Sequence, residues 1–249
     1  VPATITSPSV TAGESTEIQP APVVVPAKQA RPGIDEILPW IWVLGMSLML
    51  FWLVVSCYSL NRRLSRGRRE PDERIAAIFK SCKSRMGVGG NLSLVVQEVV
   101  GTPSLFGILR PRILLTPKVE RLSDDEIRYV LLHEMAHYKR KDVLVNYLLI
   151  LLQVIHWFNP VIWYCFKRIR EDMEAAADQY VLSVLDSTEH RNYGRALLTV
   201  LEGLTSANLA PRLLGMVDDH RSMARRLKMI KMAEFFQGRR KAITAMGML

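Results

Sequence analysis

The chain has 249 residues, a formal net charge of +9 and apolar side chains at 49% of its positions, a length that suits one large domain or two small ones. Its three cysteines, Cys57, Cys82 and Cys165, form no CxxC pair and indicate neither a thiolate metal site nor a disulfide framework. The basic residues border apolar segments and no helix-turn-helix pattern is present, so a DNA-binding protein is not indicated. Because the chain begins with Val1 and ends in KAITAMGML, we expect a fragment of a longer protein.

The first 60 residues predict a linker followed by a membrane helix. Residues 1–35 are rich in Pro, Thr, Ser, Ala and Val, a composition that predicts an extended extracytoplasmic linker without a core. Residues 36–60 are predicted to form a transmembrane helix, long enough to cross a bilayer core of about 30 Å. The arginine-rich stretch NRRLSRGRRE follows directly. Because positive charges flank the cytoplasmic end of membrane helices, we expect the rest of the chain on the cytosolic side.

Residues 61–240 are predicted to form one cytosolic domain. A short amphipathic helix, PDERIAAIFKSCKSRMG, precedes two or three strands in the β-branched stretch NLSLVVQEVVGTPSLFGILRPRILLTPKV. The next helix begins in LSDDEIRYVLLHEMAHYKRKD, where Ser123 and Glu126 match a capping box. The predicted fold class is therefore α+β, mainly helical, with a small β-sheet and membrane helices.

Residues 143–166, VLVNYLLILLQVIHWFNPVIWYCF, form a second uncharged stretch. Basic segments, YKRK and KRIR, flank both of its ends. Asn159 and Pro160 interrupt it, as the N-cap and a first-turn proline of a helix predicted from Val161 to about Leu185. We therefore predict a hairpin that enters the bilayer part-way or lies on its inner face. Residues 241–249 are predicted to begin a further membrane helix.

The stretch HEMAH carries the chemistry. His133 and His137 lie four residues apart on the predicted helix, so that their ring nitrogens can bind one zinc ion. Glu134 can act as the general base that takes a proton from the attacking water. A catalytic zinc site takes three protein ligands, and the third is expected from REDMEAAADQYVL. Glu174 is the candidate, with Glu171 and Asp172 as alternatives.

Other polar residues are given supporting or structural roles. Asp178 lies one helical turn after the candidate third ligand and is predicted to hydrogen-bond a ligand histidine. Asp142 either orients one of the histidines or caps the next helix. His156 is predicted to pack at an interface or in the interior, while His190 and His220, which have no partner at metal-ligand spacing, are predicted at the surface.

Four segments carry a resemblance to a known family: GILRPRILLTP, the HExxH helix with KRKD, HWFNP, and the EDMExxxD helix. They closely resemble the membrane-embedded zinc metallopeptidases of the beta-lactam-sensing and methicillin-resistance signal transducers, over residues 70–240. The resemblance implies a zincin-like (gluzincin) fold, a Zn²⁺ ion bound by His133, His137 and Glu174, and Glu134 as the catalytic base.

The same resemblance implies a membrane-bound zinc endopeptidase of a bacterial signal transducer, located in the cytoplasmic membrane with its peptidase domain facing the cytosol. The implied protein substrate is a cytosolic transcriptional repressor or the chain itself, since RRLKMIKMAEFF is similar to the self-cleavage region and points to bonds between Ala233 and Phe235. The expected partners are this substrate and the lipid bilayer, without direct nucleic acid. The sequence has no SxxK element beside SxN and KTG elements, the pattern of a penicillin-binding sensor. A catalytically silent, zinc-binding signalling adaptor of the same fold is the alternative function.

Overall fold

The computed structural model describes residues 33–98, 100–204, 226 and 228–230. The chain divides into two units, residues 1–41 and 42–249, and of the first unit only the beginning of a helix is described. The described part is mainly helical and holds one small sheet, which confirms the predicted fold class. His220, residues 1–32 of the predicted linker and the predicted helix start at 241–249 lie outside the described residues, as do Ala233 and Phe235.

The described elements follow the predicted order. The helices are α1 (Ile34–Arg66), α2 (Glu73–Arg85), α3 (Asp124–Arg140), α4 (Asp142–Ile155), α5 (Pro160–Val184) and α6 (His190–Leu204). The strands are β1 (Ser93–Val96), β2 (Ser104–Phe106) and β3 (Arg112–Leu115), and a 3-10 helix, Pro117–Arg121, leads from β3 to α3. α1 is longer than the predicted span because the arginine-rich stretch continues the helix until Gly67.

The three strands form a mixed sheet in the order β1-β3-β2. β1 runs parallel to β3, with Leu94 opposite Ile113, and β2 runs antiparallel to β3, with Leu105 opposite the same Ile113. Gly107 begins the turn between β2 and β3 with φ at +89°, and a Cβ there would lie 2.9 Å from the carbonyl oxygen of Arg110. The turn therefore needs glycine. β2 lies at one edge of the sheet and packs against α3.

α3 is the central helix of the core. Its predicted capping box is confirmed: the Ser123 hydroxyl accepts from the Glu126 N–H at 3.3 Å, and the Glu126 carboxylate accepts from the Ser123 N–H at 2.9 Å. The helix contacts α2, β2, α4, α5 and α6. Leu131 and Leu132 face different sides of it and are both fully buried, each contributing about 1.5–3 kcal/mol of apolar burial. α3 is therefore enclosed around most of its circumference, which fixes the residues of its last two turns.

A single residue joins α3 to α4. Lys141 adopts a left-handed backbone conformation with φ at +60°, and its N–H donates to the Tyr138 carbonyl at 3.1 Å. The left-handed residue ends α3 and reverses the chain within one position. Asp142 is therefore the first residue of α4 rather than its N-cap, and it lies beside the last turn of α3.

The turn of the α4–α5 hairpin contacts α1. The indole N–H of Trp42 donates to the Ile155 carbonyl at 3.0 Å, and the indole N–H of Trp157 donates to the Trp42 carbonyl at 3.3 Å. A Cβ at Gly45 would overlap the Trp157 ring, so the glycine makes this close approach possible. The end of the hairpin therefore meets α1 at Trp42 and Gly45. Whether the hairpin enters the bilayer part-way or lies on its inner face stays a prediction.

The outer surfaces of these helices are apolar. Among the described residues, α1 is the helix that is long and apolar enough to cross a membrane, and its most apolar window is unburied. α4 is a shorter apolar helix. Its exposed side chains and those of the start of α5 include Leu144, Leu148, Leu151, Phe158 and Tyr164. A continuous exposed apolar surface of this kind is typical of contact with lipid.

Candidate metal centre

α3 supplies the two histidines and the glutamate of HEMAH. His133 and Glu134 are buried, 8% and 7% exposed, and His137 is half-buried at the last turn. Because the two histidines are one turn apart on one face of the helix, their rings meet edge to face with centroids 4.8 Å apart. Their Nε2 atoms lie 3.2 Å from each other and therefore point toward one position.

α5 brings Glu174 to the same position. Its Oε2 lies 3.4 Å from the Nε2 of His133, and its Oε1 lies 3.6 Å from the Nε2 of His137. Among the described residues, these three are the group of histidine and acidic side chains that is arranged to hold a metal ion. The structure thus brings together the three predicted ligands.

The two alternative third ligands lie elsewhere on α5. Glu171 accepts from the guanidinium of Arg168 at 2.8 Å, one helical turn away on the same helix. Asp172 is exposed. Neither residue belongs to the metal-binding group: Glu171, one turn before Glu174, is paired with Arg168, and Asp172 is exposed.

The outward nitrogen of His137 has a local partner. Its Nδ1 lies 2.7 Å from Oδ2 of Asp142, which is 5% exposed. The same oxygen accepts from the Nε of Arg140 at 3.0 Å. Because a carboxylate accepts the Nδ1–H, the lone pair of His137 is left on Nε2, facing Glu174. Of the two roles predicted for Asp142, the geometry fits the one in which it orients a histidine.

The outward nitrogen of His133 has two partners from distant elements. Its Nδ1 lies 3.1 Å from Oδ1 of Asp178 on α5 and 3.0 Å from the hydroxyl oxygen of Tyr193 on α6. The Tyr193 hydroxyl donates to the same Asp178 oxygen at 2.6 Å. Asp178 and Tyr193 are both fully buried. Asp178 therefore occupies the predicted place beside a histidine of the cluster.

Arg226 completes the surroundings of Asp178. Its Nε donates to Oδ2 of Asp178 at 2.7 Å, and its Nη2 donates to Oδ1 at 3.0 Å. Its Nη1 lies 3.6 Å from Oε2 of Glu174. The guanidinium thus forms a two-pronged ion pair with a buried carboxylate.

Sequence reasoning missed Tyr193 and Arg226. Each stands in a segment whose amphipathic pattern predicts only a helix, and neither has a motif spacing to the histidines.

The prediction that His190 lies at the surface is wrong: the residue is fully buried, with its Nε2 at 3.0 Å from the Leu182 carbonyl. The reason is that α6 packs its first turn against the end of α5. His156 lies half-buried at the hairpin turn, with its Nδ1 at 3.0 Å from the Leu152 carbonyl.

The electrostatics of the cluster favour a positive charge between the donors. Burial opposes a charged imidazole, but hydrogen bonds to Asp178 and Glu174 outweigh it and raise the pKa of His133 to about 10. Burial likewise opposes ionisation of Glu174, yet its contacts with the two histidines lower its pKa to about 2. The pKa of Asp178 lies well below its usual range because His133 and Arg226 outweigh the effect of burial.

Glu134 differs from the other acids of the site. Burial raises the pKa of its carboxyl above the ordinary glutamate value, against the opposing effect of the two histidines. Within the described residues its carboxylate takes part in no hydrogen bond or ion pair. A buried carboxyl with a raised pKa and no structural partner among the described residues is suited to accept and release a proton.

A comparison with known families agrees with this arrangement. Residues 1–230 match the family described as BlaR1 peptidase M56. The chain belongs to the BlaR1 peptidase M56 family. This confirms the resemblance predicted from the sequence, and the zincin-like fold comes with the family.

Curated relatives extend the comparison. Regulatory protein BlaR1 of Bacillus licheniformis is 34% identical over 179 residues, which are 71% of this chain and 30% of that protein. The methicillin resistance mecR1 protein of Staphylococcus aureus strain Mu50 is 30% identical over 180 residues, 70% of this chain and 30% of that protein. Regulatory protein BlaR1 of Staphylococcus aureus is 22% identical over 170 residues, 66% and 28% of the two chains.

The matched region spans less than a third of these relatives. The chain therefore corresponds to the BlaR1 peptidase M56 region of these longer proteins. Together with the exposed apolar helix α1, the relatives make this BlaR1 peptidase M56 member a membrane protein.

Proposed function

We propose that the chain is a membrane-bound zinc endopeptidase of a bacterial signal transducer. The observation that carries the proposal is the spacing of three donors from two helices. Zinc binds histidine nitrogens and carboxylate oxygens tetrahedrally at about 2.0–2.2 Å, which places neighbouring donors about 3.3 Å apart. The contacts among His133, His137 and Glu174 measure 3.2, 3.4 and 3.6 Å.

The charges of the site also suit a divalent cation. Four carboxylates surround the two histidines: Glu134, Glu174, Asp178 and Asp142. Among the described residues, Arg226 and Arg140 are the arginines paired with them. The raised pKa of His133 expresses this excess of negative charge, and a zinc ion between the Nε2 atoms would neutralise it without protonating a ligand.

The chemistry follows from the residues around that position. A bound zinc ion would polarise the peptide carbonyl and lower the pKa of a water molecule. Glu134 accepts the proton of the attacking water and passes it to the leaving amine, because its carboxylate is adjacent to the first ligand histidine and has no other partner within the described residues. Asp142 and Asp178 hold the two imidazoles in the orientation that directs Nε2 inward.

An extended peptide fits at the edge strand beside α3. β2 pairs with β3 on one side, and within the described residues its other side pairs with no strand. Its side chains are only partly buried. A substrate backbone can therefore add to this edge as a further strand, next to the helix that carries Glu134.

The expected substrate is a cytosolic transcriptional repressor or the chain itself, between Ala233 and Phe235, outside the described residues. The names of the relatives, regulatory protein BlaR1 and methicillin resistance mecR1 protein, support a regulatory role. The arginines after the apolar part of α1 support a peptidase domain on the cytosolic face of the bacterial membrane. The bilayer is then a constant partner, and no contact with nucleic acid is proposed.

The test combines zinc content with proteolysis on protein purified in detergent. Wild type is compared with Glu134→Gln and Glu174→Ala, using zinc analysis and the cleavage of the chain itself and of a casein substrate. We expect one zinc per wild-type chain. We expect Glu134→Gln to keep the zinc while cleavage falls at least about 10³-fold, and Glu174→Ala to lose both.

Asp172→Ala is the matched control, because it removes an exposed acid from the same helix, close to Glu174. It should leave zinc content and cleavage unchanged. A wild-type protein without zinc contradicts the proposed site. A protein that holds zinc but cleaves neither substrate favours the signalling adaptor.

A further inference from the structure

A short C-terminal segment contacts the metal centre from outside the motifs. It comprises residues 226 and 228–230, here named the strap. Met229 and Ile230 attach it to the core: the Gln179 side-chain amide donates to Met229 Sδ at 3.3 Å, and Ile230 is 3% exposed. A Cβ at Gly194 would lie 3.5 Å from Ile230, so the strap packs closely on α6. Arg226, at its start, is 6% exposed and points to Asp178.

The guanidinium fixes the plane of the Asp178 carboxylate. Nε and Nη2 each hold one of its oxygens, at 2.7 and 3.0 Å. Oδ1 is consequently directed at both Nδ1 of His133 and the Tyr193 hydroxyl. A planar fork is needed for this, because a lysine ammonium is a point charge that cannot hold both oxygens in one plane.

The same cation separates two carboxylates that would otherwise repel. Glu174 and Asp178 lie one turn apart on α5, and Arg226 is 2.7 Å from the second and 3.6 Å from the first. Without the guanidinium, Asp178 would be a buried carboxylate with only His133 and Tyr193 as partners. Its side chain would then be free to rotate, and the Nδ1 of His133 would lose its acceptor.

We propose that Arg226 is a positioning residue of the metal centre: it acts through Asp178 to hold His133 in its zinc-binding orientation. This inference rests on the proposed zinc site. The strap carries none of the three ligands, but through Arg226 it would influence the affinity for zinc. Removal of an outer partner of a metal ligand typically weakens metal binding about 10–100-fold.

The experiment measures the zinc dissociation constant by competition with a chromophoric chelator, without any peptide substrate. Wild type is compared with Arg226→Ala, Arg226→Lys and the matched control Lys228→Ala, which removes an exposed cation from the same strap. We expect Arg226→Ala to weaken zinc binding about 10–100-fold and Arg226→Lys to weaken it about tenfold, because lysine keeps the charge and loses the fork. Lys228→Ala should stay within twofold of wild type.

A second arm separates positioning from a general effect on folding. In the Asp178→Asn background the buried charge is absent, so Arg226→Ala should fold and should change zinc affinity by less than about threefold, since its target is gone. If Arg226 only stabilises the fold, Arg226→Ala should lower zinc affinity equally in the wild-type and Asp178→Asn backgrounds.

The proposal is overturned if Arg226→Ala and Arg226→Lys bind zinc within twofold of wild type. It is also overturned if the loss is equally large with Asp178→Asn. Wild type that binds zinc but cleaves no substrate would remove the proposed enzyme activity and leave this test intact. Wild type that binds no zinc would remove both.

Discussion

The two histidines of the centre are held in different ways. The Nδ1 of His133 faces Asp178 and Tyr193, which come from α5 and α6 and are fully buried. The Nδ1 of His137 faces Asp142, which stands five positions along the chain at the start of the next helix. Both partners are carboxylates, and both leave Nε2 free for a metal. In both cases a carboxylate accepts from the Nδ1–H. For His133 this partner comes from a distant part of the chain, and for His137 it comes from a neighbour in sequence.

Because the two carboxylates are supported differently, we expect their loss to affect the stability of the fold to different extents. Asp178 is buried where α3, α5, α6 and the strap meet. If its carboxylate is removed, water cannot reach its partners to replace the lost hydrogen bonds. Asp142 lies in the first turn of α4, where the helix N-terminus favours a carboxylate, and its neighbour Arg140 has a side chain that is 28% exposed. Damage on the His133 side should therefore reach the whole domain, and damage on the His137 side should stay at the centre.

The largest expected effect is that of Asp178→Ala on stability. It leaves Arg226 buried without its carboxylate and deprives the Tyr193 hydroxyl of its acceptor, which we expect to destabilise the fold by about 3–5 kcal/mol. Asp142→Ala should destabilise it by about 1 kcal/mol, because the affected cation can turn to solvent. Thermal unfolding of both variants in detergent, without added metal, measures the contrast.

In zinc affinity, by contrast with stability, Asp178→Ala and Asp142→Ala should behave alike. Both alanine variants should bind zinc about 10–100-fold more weakly than wild type, because each frees one imidazole to rotate. If Asp142→Ala unfolds as easily as Asp178→Ala, the two supports are equivalent and the distinction drawn from burial is wrong.

The same contrast explains what the sequence can predict. The HEMAH helix, its capping box and the spacing of Glu174 and Asp178 are periodic features of single helices, and the structure has each of them where the sequence predicts it. Asp142 follows its histidine so closely that chain order alone places it nearby. The three donors meet because α3 and α5 are adjacent, which the family resemblance implies and the spacing alone does not.

Tyr193 and Arg226 were beyond sequence reasoning for a physical reason. Their contact with Asp178 depends on how α6 and the strap pack on α5, and no local propensity records that packing. His190 illustrates the same limit, since a polar residue without a partner motif predicts exposure and the structure buries it completely. The hairpin contacts with Trp42 depend on the fit of the Trp157 indole against Gly45.

An intermediate effect is expected from Tyr193→Phe. The substitution keeps the ring, which stacks edge to face on Tyr129 at 5.9 Å, and removes the hydroxyl that donates to Asp178 at 2.6 Å. A hydrogen bond to a charged group contributes about 1.5–3 kcal/mol, and Arg226 still holds the carboxylate. We therefore expect a loss of about 1.5 kcal/mol in thermal unfolding and a fall of a few-fold in zinc affinity.

Tyr129→Phe is the control for this variant. Tyr129 is buried as well, at 2% exposure, but its hydroxyl meets the half-exposed Arg128 at 3.4 Å. It should change stability by less than about 0.5 kcal/mol. Equal effects of the two substitutions would mean that the Tyr193 hydroxyl contributes no more than an ordinary buried phenol, and the tertiary support of His133 would then rest on Asp178 and Arg226 alone.

The smallest effect is expected from Arg140→Met, the local counterpart of the Arg226 substitutions. Arg140 donates one hydrogen bond to Asp142 at 3.0 Å from a partly exposed position, and methionine keeps much of its apolar stem. Partly exposed ion pairs contribute about 0.2–1 kcal/mol and are screened by salt. Zinc affinity should therefore fall less than about threefold at low ionic strength, and the difference from wild type should disappear in about 0.5 M NaCl. A tenfold loss that persists in salt would show that Asp142 depends on Arg140 as Asp178 depends on Arg226, because only a desolvated pair resists screening. His137 would then have the same kind of support as His133, even though its partners are neighbours in sequence.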